Sequence, residues 1–337
     1  MKAALIVPGK PSLASVAPWP VSVPGPGELL VEGLLVGVCG TDVEIVRDGF
    51  GTPPPGRSDM VLFHESLGRV LVAAGSFSVG DLVAGVVRRP DPVPCSACAA
   101  SAWDFCRNGL YTERGIKGLD GYGMQQWTVP TEFAVKLDPS LGDLGVLTEP
   151  CSVVAKAWAQ ALLLCRRSFV DPRSVVVTGA GPIGLLAALL GVQQGLTVHV
   201  VDLATSGPKP DLVRALGASY YTSLSSVPAV DVAIECTGAP SLVASVSALA
   251  AVTVLTGISG SSAPVPAFFD SLVMGNRAVV GSVNAGFADY SRGAAALAAA
   301  DRSWLAGLIT RRVPLDRFVD AFSRAPDDVK VVVSLGT

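Results

Sequence analysis

Four residues spread over the first half of this chain form a donor set for one metal ion: Cys39 in GVCGTD, the His64–Glu65 pair in FHESLG, and Glu149 in LTEPCSVV. A thiolate, an imidazole and a carboxylate suit Zn²⁺, and fewer than four firm protein ligands leave a position for water or substrate. Further on, GAGPIG places Gly179, Gly181, Pro182, Ile183 and Gly184 between the apolar run SVVVT and a helical segment. In such a turn the first glycine permits the tight bend and the second lets a pyrophosphate approach the backbone. The third lets helix and strand pack closely. Asp202 ends the next apolar run, 18 residues after Gly184, where a carboxylate accepts hydrogen bonds from adenosine ribose hydroxyls. That carboxylate disfavours a 2′-phosphate and Leu203 is not an arginine, but Lys209 nearby can offset the repulsion. The expected cofactor is therefore NAD or NADP. An open zinc site and a dinucleotide turn in one chain point to metal-assisted hydride transfer.

These residues need two kinds of scaffold. Residues 1–150 carry short apolar runs (LLVEGLLVGV, GRVLVAA, DLVAGVV) punctuated by Pro and Gly, the pattern of a β-rich domain. From 151 to 289 the pattern alternates. PCSVVAKAWAQALLL has helical periodicity, SVVVTGA reads as a strand, PIGLLAALLGVQQG as a helix and LTVHVVD as a strand. VDVAIECTG, AVTVLTGI and NRAVVGSV continue as candidate parallel strands. The implied class is α/β, with a doubly wound Rossmann sheet after the β-rich domain. The tail reads as two helices over SWLAGLITRRVPLDRFVDAFSRA and then a strand, VKVVVSL, and residues 290–337 are expected to return to the first domain.

Composition excludes several functions. The 337 residues carry a net charge of −3, which gives no electrostatic reason to expect nucleic acid or an anionic membrane as partner. The apolar stretch 175–201 is broken by glycines and a proline, as a buried strand–helix–strand is and a membrane span is not. Seven cysteines, an odd number, point to reduced thiols and a cytoplasmic setting. With only His64 and His199, mechanisms needing several histidines are ruled out by inventory; His199, in an apolar strand, reads as a core or sheet-end residue.

GVCGTD, HESLGRV, VGDLVAGVVRRP, YTERGIKGLDGY, EPCSVVAKAW and GAGPIG, in that order, resemble the zinc-dependent medium-chain dehydrogenases, in particular their glucose 1-dehydrogenase-like branch. The resemblance spans nearly the whole chain. It implies a GroES-like catalytic domain and a catalytic zinc on Cys39, His64 and either Glu65 or Glu149. It also implies Thr41 as the hydroxyl touching the reacting alcohol, and Glu113, Glu149 and Asn284 as substrate contacts. Thr237–Gly238, Gly257–Ile258–Ser259 and Ser282–Val283–Asn284 match loops that run along the dinucleotide. Small-molecule substrates and a homo-oligomer, dimer or tetramer, follow from the same likeness. Asp42 is open to two readings, a partner behind the zinc ligands or a solvated surface residue.

Three departures stand out. Phe63 replaces the glycine that the family places before the histidine, and is expected to reshape the pocket or weaken the metal site. Cys95, Cys98 and Cys106 remain of a four-cysteine structural zinc site whose third position is Ser101, with Asp104 as a possible fourth ligand. Val153 stands where sugar-oxidising members often place a polar residue, which favours a less polar substrate. The leading expectation is an NAD(P) alcohol or polyol dehydrogenase acting on a secondary hydroxyl or its ketone, sugar-like or a biosynthetic intermediate. Its rivals are a reductase of conjugated C=C or C=N bonds and a cofactor-binding protein without catalysis.

Overall fold

The computed structural model describes residues 1–258, 265 and 267–336. They form two compact units: Met1–Ser152 with Asn284–Thr337, and Val153–Val283. The chain re-enters the first unit at Asn284, ahead of the expected 290. Asn284, grouped above with the cofactor loops, therefore lies in the same unit as Glu113.

The first unit is built on a seven-stranded sheet. Its long central strand, Glu28–Gly37, pairs antiparallel with Glu65–Val72 on one side and with the C-terminal strand Lys330–Ser334 on the other. Alternating buried positions Leu29, Val31, Leu35 and Trp127 from the paired strand Gln126–Pro130 fill the interior. Register matters here, because Gly37 lies opposite Glu65 and Val332 at once. A Cβ on Gly37 would sit 1.9 Å from a Glu65 carboxylate oxygen, so only glycine lets that side chain cross the strand.

The tail departs from its expected form. ITRRVP is a strand, Ile309–Pro314, parallel to Lys330–Ser334, and LDRFVDAF is a 3-10 segment, Leu315–Phe322. Ile309–Pro314 is the edge of its sheet, where polar residues are tolerated: Arg311 pairs with Asp328 at 2.8 Å and Arg312 with Asp143 at 2.6 Å. Apolar alternation is consequently absent from its sequence.

Phe63 also departs from expectation. Its ring is fully buried between Phe318, edge-on at 6.1 Å between centroids, and Phe322, stacked at 6.2 Å, so it is committed to packing against the 3-10 segment. Its backbone has φ of +73°, the left-handed region that explains a family glycine here. Phe63→Ala is expected to cost about 3–5 kcal/mol through the lost ring. Phe63→Gly, although smaller, should unfold at a higher urea concentration than the alanine variant, because it relieves about 1 kcal/mol of backbone strain. The reverse order would mean that the left-handed backbone carries no strain.

The second unit is a six-stranded parallel sheet. Its order is Ser219–Tyr221, Thr197–Val201, Ser174–Thr178, Val230–Glu235, Ala250–Leu255, Ala278–Gly281. Order reverses beside Ser174–Thr178, the strand that leads into the glycine turn, which is where doubly wound sheets bind ligands. The first of these strands, three residues long, was too short to stand out in the sequence. His199 lies in this sheet, its Nδ1 3.2 Å from the Tyr221 hydroxyl, and burial lowers its pKa. No described helix is long and apolar enough to cross a membrane.

Candidate active site and cofactor turn

The strand Glu28–Gly37 ends just before Cys39, which caps the helix Gly40–Asp48. The capping is reciprocal: Asp42 accepts a 2.8 Å hydrogen bond from the Cys39 backbone N–H. Asp42 is fully buried, which removes its surface reading. Its other oxygen lies 3.3 Å from Nδ1 of His64. That contact leaves Nε2 as the nitrogen available to a metal and gives the carboxylate–histidine pairing found behind many metal ligands. Burial alone would lower the His64 pKa, but the Asp42 carboxylate outweighs it and holds the value well above the ordinary one.

Ligand atoms of Cys39, His64 and Glu65 all lie within 4.8 Å of one another. Glu149 is not part of that group. It sits buried in the first turn of the helix Thr148–Arg167, and its carboxylate has no hydrogen-bond donor among the described residues. Burial pushes its pKa up to about 7, with His64 opposing and Glu65 adding to the shift. Glu65, in contrast, is already engaged. Lys330 Nζ lies 2.5 Å from its Oε1 and donates at 3.0 Å to the Val38 carbonyl. Burial would lower the Lys330 pKa, yet Glu65 and Cys39 raise it. Nothing in the sequence flagged Lys330, because it lies 265 residues from Glu65.

Sulfur, imidazole and carboxylate donors at this spacing fit Zn²⁺. Of the two carboxylates, Glu65 is ion-paired with Lys330, whereas Glu149 makes no ion pair among the described residues. Thr41 is half-buried in the first turn of the helix that Cys39 caps. Glu113 and Asn284 come together, the Asn284 amide donating to Glu113 Oε1 at 2.7 Å.

The sulfurs of Cys95, Cys98 and Cys106 also lie within 4.8 Å of one another. Asp104 is not in that group, because the turn Trp103–Phe105 carries it into the interior. Cys106 Sγ lies 4.0 Å from Oδ2 of Asp91. A hydrogen bond from the Arg107 backbone N–H leads the effects that lower the Cys95 pKa to about 6.

In the second unit Gly179 has φ of +90°, and a Cβ on Gly184 would lie 1.8 Å from the Gly179 carbonyl oxygen, so both positions demand glycine. Gly181 caps the helix Pro182–Gln193, with Pro182 and Ile183 as its first residues. Asp202 accepts from the backbone of Ala180 at 2.7 Å and of Ala204 at 3.0 Å, and Lys209 lies 3.6 Å away. The loops carrying Thr237–Gly238 and Gly257–Ile258 share one organiser that the sequence reading missed, the buried Glu235. Its carboxylate accepts from the backbone of Thr237 at 2.7 Å and of Gly238 at 3.1 Å. Its backbone carbonyl accepts from Thr256 and Gly257. Ser282 Oγ accepts from Gln160 at 3.1 Å, and the Val283 carbonyl from Lys156 at 3.0 Å. Ser259 lies outside the described residues.

A three-donor metal cradle in one unit and a glycine turn on a doubly wound sheet in the other define a medium-chain dehydrogenase architecture. Residues 25–139 match the alcohol dehydrogenase GroES-like domain, and residues 142–335 match the glucose dehydrogenase C-terminus. The chain belongs to the zinc-dependent medium-chain dehydrogenases, glucose dehydrogenase-like branch. It is 37% identical to a glucose 1-dehydrogenase of Thermoproteus tenax, covering 100% of both chains. With a glucose 1-dehydrogenase of Halobacterium salinarum it shares 38% identity, over 93% of this chain and 94% of that one. A solved structure of Haloferax mediterranei glucose dehydrogenase, in complex with NADP, Zn and gluconolactone, superposes with a TM-score of 0.90 at 31% identity, covering 100% of both chains.

Proposed function

We propose that this protein is a zinc-dependent NAD(P) oxidoreductase that moves hydride between nicotinamide and a secondary alcohol or ketone of a sugar or polyol. The observation that carries this reading is the convergence of Cys39, His64 and Glu65, with Asp42 behind the histidine and Glu149 buried nearby. Bound zinc would supply Lewis acidity, lowering the pKa of the substrate hydroxyl. Cys39 and His64 would hold the metal, with Glu65 or Glu149 supplying the carboxylate donor. Asp42 keeps the His64 ring oriented, and the Thr41 hydroxyl hands the substrate proton outward. Glu113 binds a substrate hydroxyl. Asp202 holds the adenosine ribose and the turn at Gly179–Gly184 the pyrophosphate, and Lys209 beside Asp202 offsets the charge of a 2′-phosphate, so both NAD and NADP suit this site. A homo-oligomer and a reducing cytoplasmic setting belong to the same reading.

The apolar Val153 and a bulky Phe63 beside the zinc site would favour a conjugated-bond reductase. With the Phe63 ring packed on Phe318 and Phe322, the Phe63 part of that argument loses its basis. Turnover with NAD⁺ and NADP⁺ on aldoses and polyols, and with the reduced cofactors on enones, tests the assignment. The expected result is sugar or polyol oxidation that disappears on chelation and returns with zinc. Enone reduction unaffected by chelator would overturn it.

A further inference from the structure

Glu113 is held unusually for a carboxylate that is to meet a substrate. Three donors converge on one of its oxygens: Arg88 Nε at 3.0 Å, Arg88 Nη2 at 2.9 Å and the Asn284 amide at 2.7 Å, all to Oε1. Oε2 has no hydrogen-bond donor among the described residues, and the side chain keeps 10% of its surface exposed. The guanidinium is itself fixed on two further sides. Nη1 donates to the Asp104 carbonyl at 2.9 Å, and the ring of Tyr111 lies 3.8 Å from its centre. Arg88 is buried, and a planar fork with this many partners has one orientation. Asn284 is similarly committed, since its Oδ1 accepts from the Ala285 backbone at 2.8 Å.

We propose that Arg88 is the positioning residue for substrate recognition, saturating Oε1 of Glu113 and presenting Oε2 alone as acceptor for a single substrate hydroxyl. The proposal rests on the sugar or polyol reading above and deepens it. A carboxylate offers only acceptors, so this oxygen selects an O–H donor and rejects a position bearing hydrogen or an ether. With Oε1 occupied, Glu113 does not hold two neighbouring hydroxyls one on each oxygen. Arg88 touches no reacting atom; it works by removing Glu113's rotational freedom.

The test compares D-glucose with its monodeoxy analogues in the zinc-loaded enzyme. In the wild type, one deoxy sugar should be worse than glucose by roughly 100-fold or more in kcat/KM, because the lost hydroxyl leaves an acceptor unpaired. Arg88→Met should raise KM for glucose and shrink that preference to within about threefold, since the unpinned carboxylate no longer selects one hydroxyl. Arg88→Lys should recover part of the preference, and Asn284→Ala, which removes one donor of three, should lose less than Arg88→Met. Zinc content should stay at wild-type values in all three variants, and dinucleotide affinity in the two Arg88 variants. Equal losses on glucose and on the deoxy sugar in Arg88→Met would overturn the proposal by making Arg88 merely structural. So would a wild type that oxidises glucose but treats every monodeoxy analogue alike. A wild type that oxidises no sugar or polyol would instead remove the reading on which the proposal stands. Should Arg88→Met fail to fold, Arg88→Lys and Asn284→Ala carry the same comparison.

Discussion

Cys39→Ala and His64→Ala are each expected to leave the enzyme without its zinc and to lower kcat/KM roughly 10³-fold or more. That factor corresponds to about 4 kcal/mol, the range over which a metal stabilises developing charge on oxygen. Zinc analysis of the purified variants beside steady-state rates checks it. The same site should write a pH signature. Glu149 has its pKa raised from 4.5 to about 7, so its contribution to stability is full below the lower value and disappears as pH rises through 7. His64, raised well above 6.5, has the same sign: its contribution is present below 6.5 and is lost as pH rises through the raised value. Metal-free protein should therefore become less stable between pH 5 and 8 from these two groups. Zinc binds the deprotonated donors, so it gains affinity over that range. The difference in Tm between zinc-loaded and chelated protein should widen as pH increases. A constant difference would mean that neither group releases a proton to the metal.

The second large effect belongs to Lys330. Its removal as Lys330→Met should destabilise the fold by about 3–5 kcal/mol, because the Glu65 carboxylate is left buried without its cation. Most of that loss should return in the double variant Lys330→Met with Glu65→Gln, which buries no net charge. Urea unfolding of the two single variants and the double measures the coupling. Additive losses would show that the two side chains act independently. Gly37 supports the same arrangement, since it alone leaves space for the Glu65 side chain beside the strand.

Much of the site could be read in the sequence because its chemistry travels in short motifs. Cys39, Thr41 and Asp42 share one helix cap, His64 and Glu65 are adjacent, and the glycines of the dinucleotide turn are fixed by backbone geometry that local sequence encodes. The partners that hold these groups were not legible. Lys330 meets Glu65 only because the C-terminal strand joins the central sheet, and Arg88 meets Glu113 through pairing of two short strands. Glu235 stands at the end of an apolar strand, and only the fold shows that its carboxylate ties the Thr237–Gly238 loop. Asp104 is near the cysteines in sequence, whereas the chain path brings Asp91 to Cys106. The edge strand Ile309–Pro314 lacked apolar alternation because ion pairs, not burial, satisfy its arginines.

The most direct measurement is anomalous scattering at the zinc absorption edge from crystals grown with ample zinc. A peak is expected about 2.3 Å from Cys39 Sγ and about 2.0–2.1 Å from His64 Nε2, with a carboxylate oxygen completing the protein's share of the ligands. Density lacking any peak there, with Cys39 turned away from His64, would contradict it.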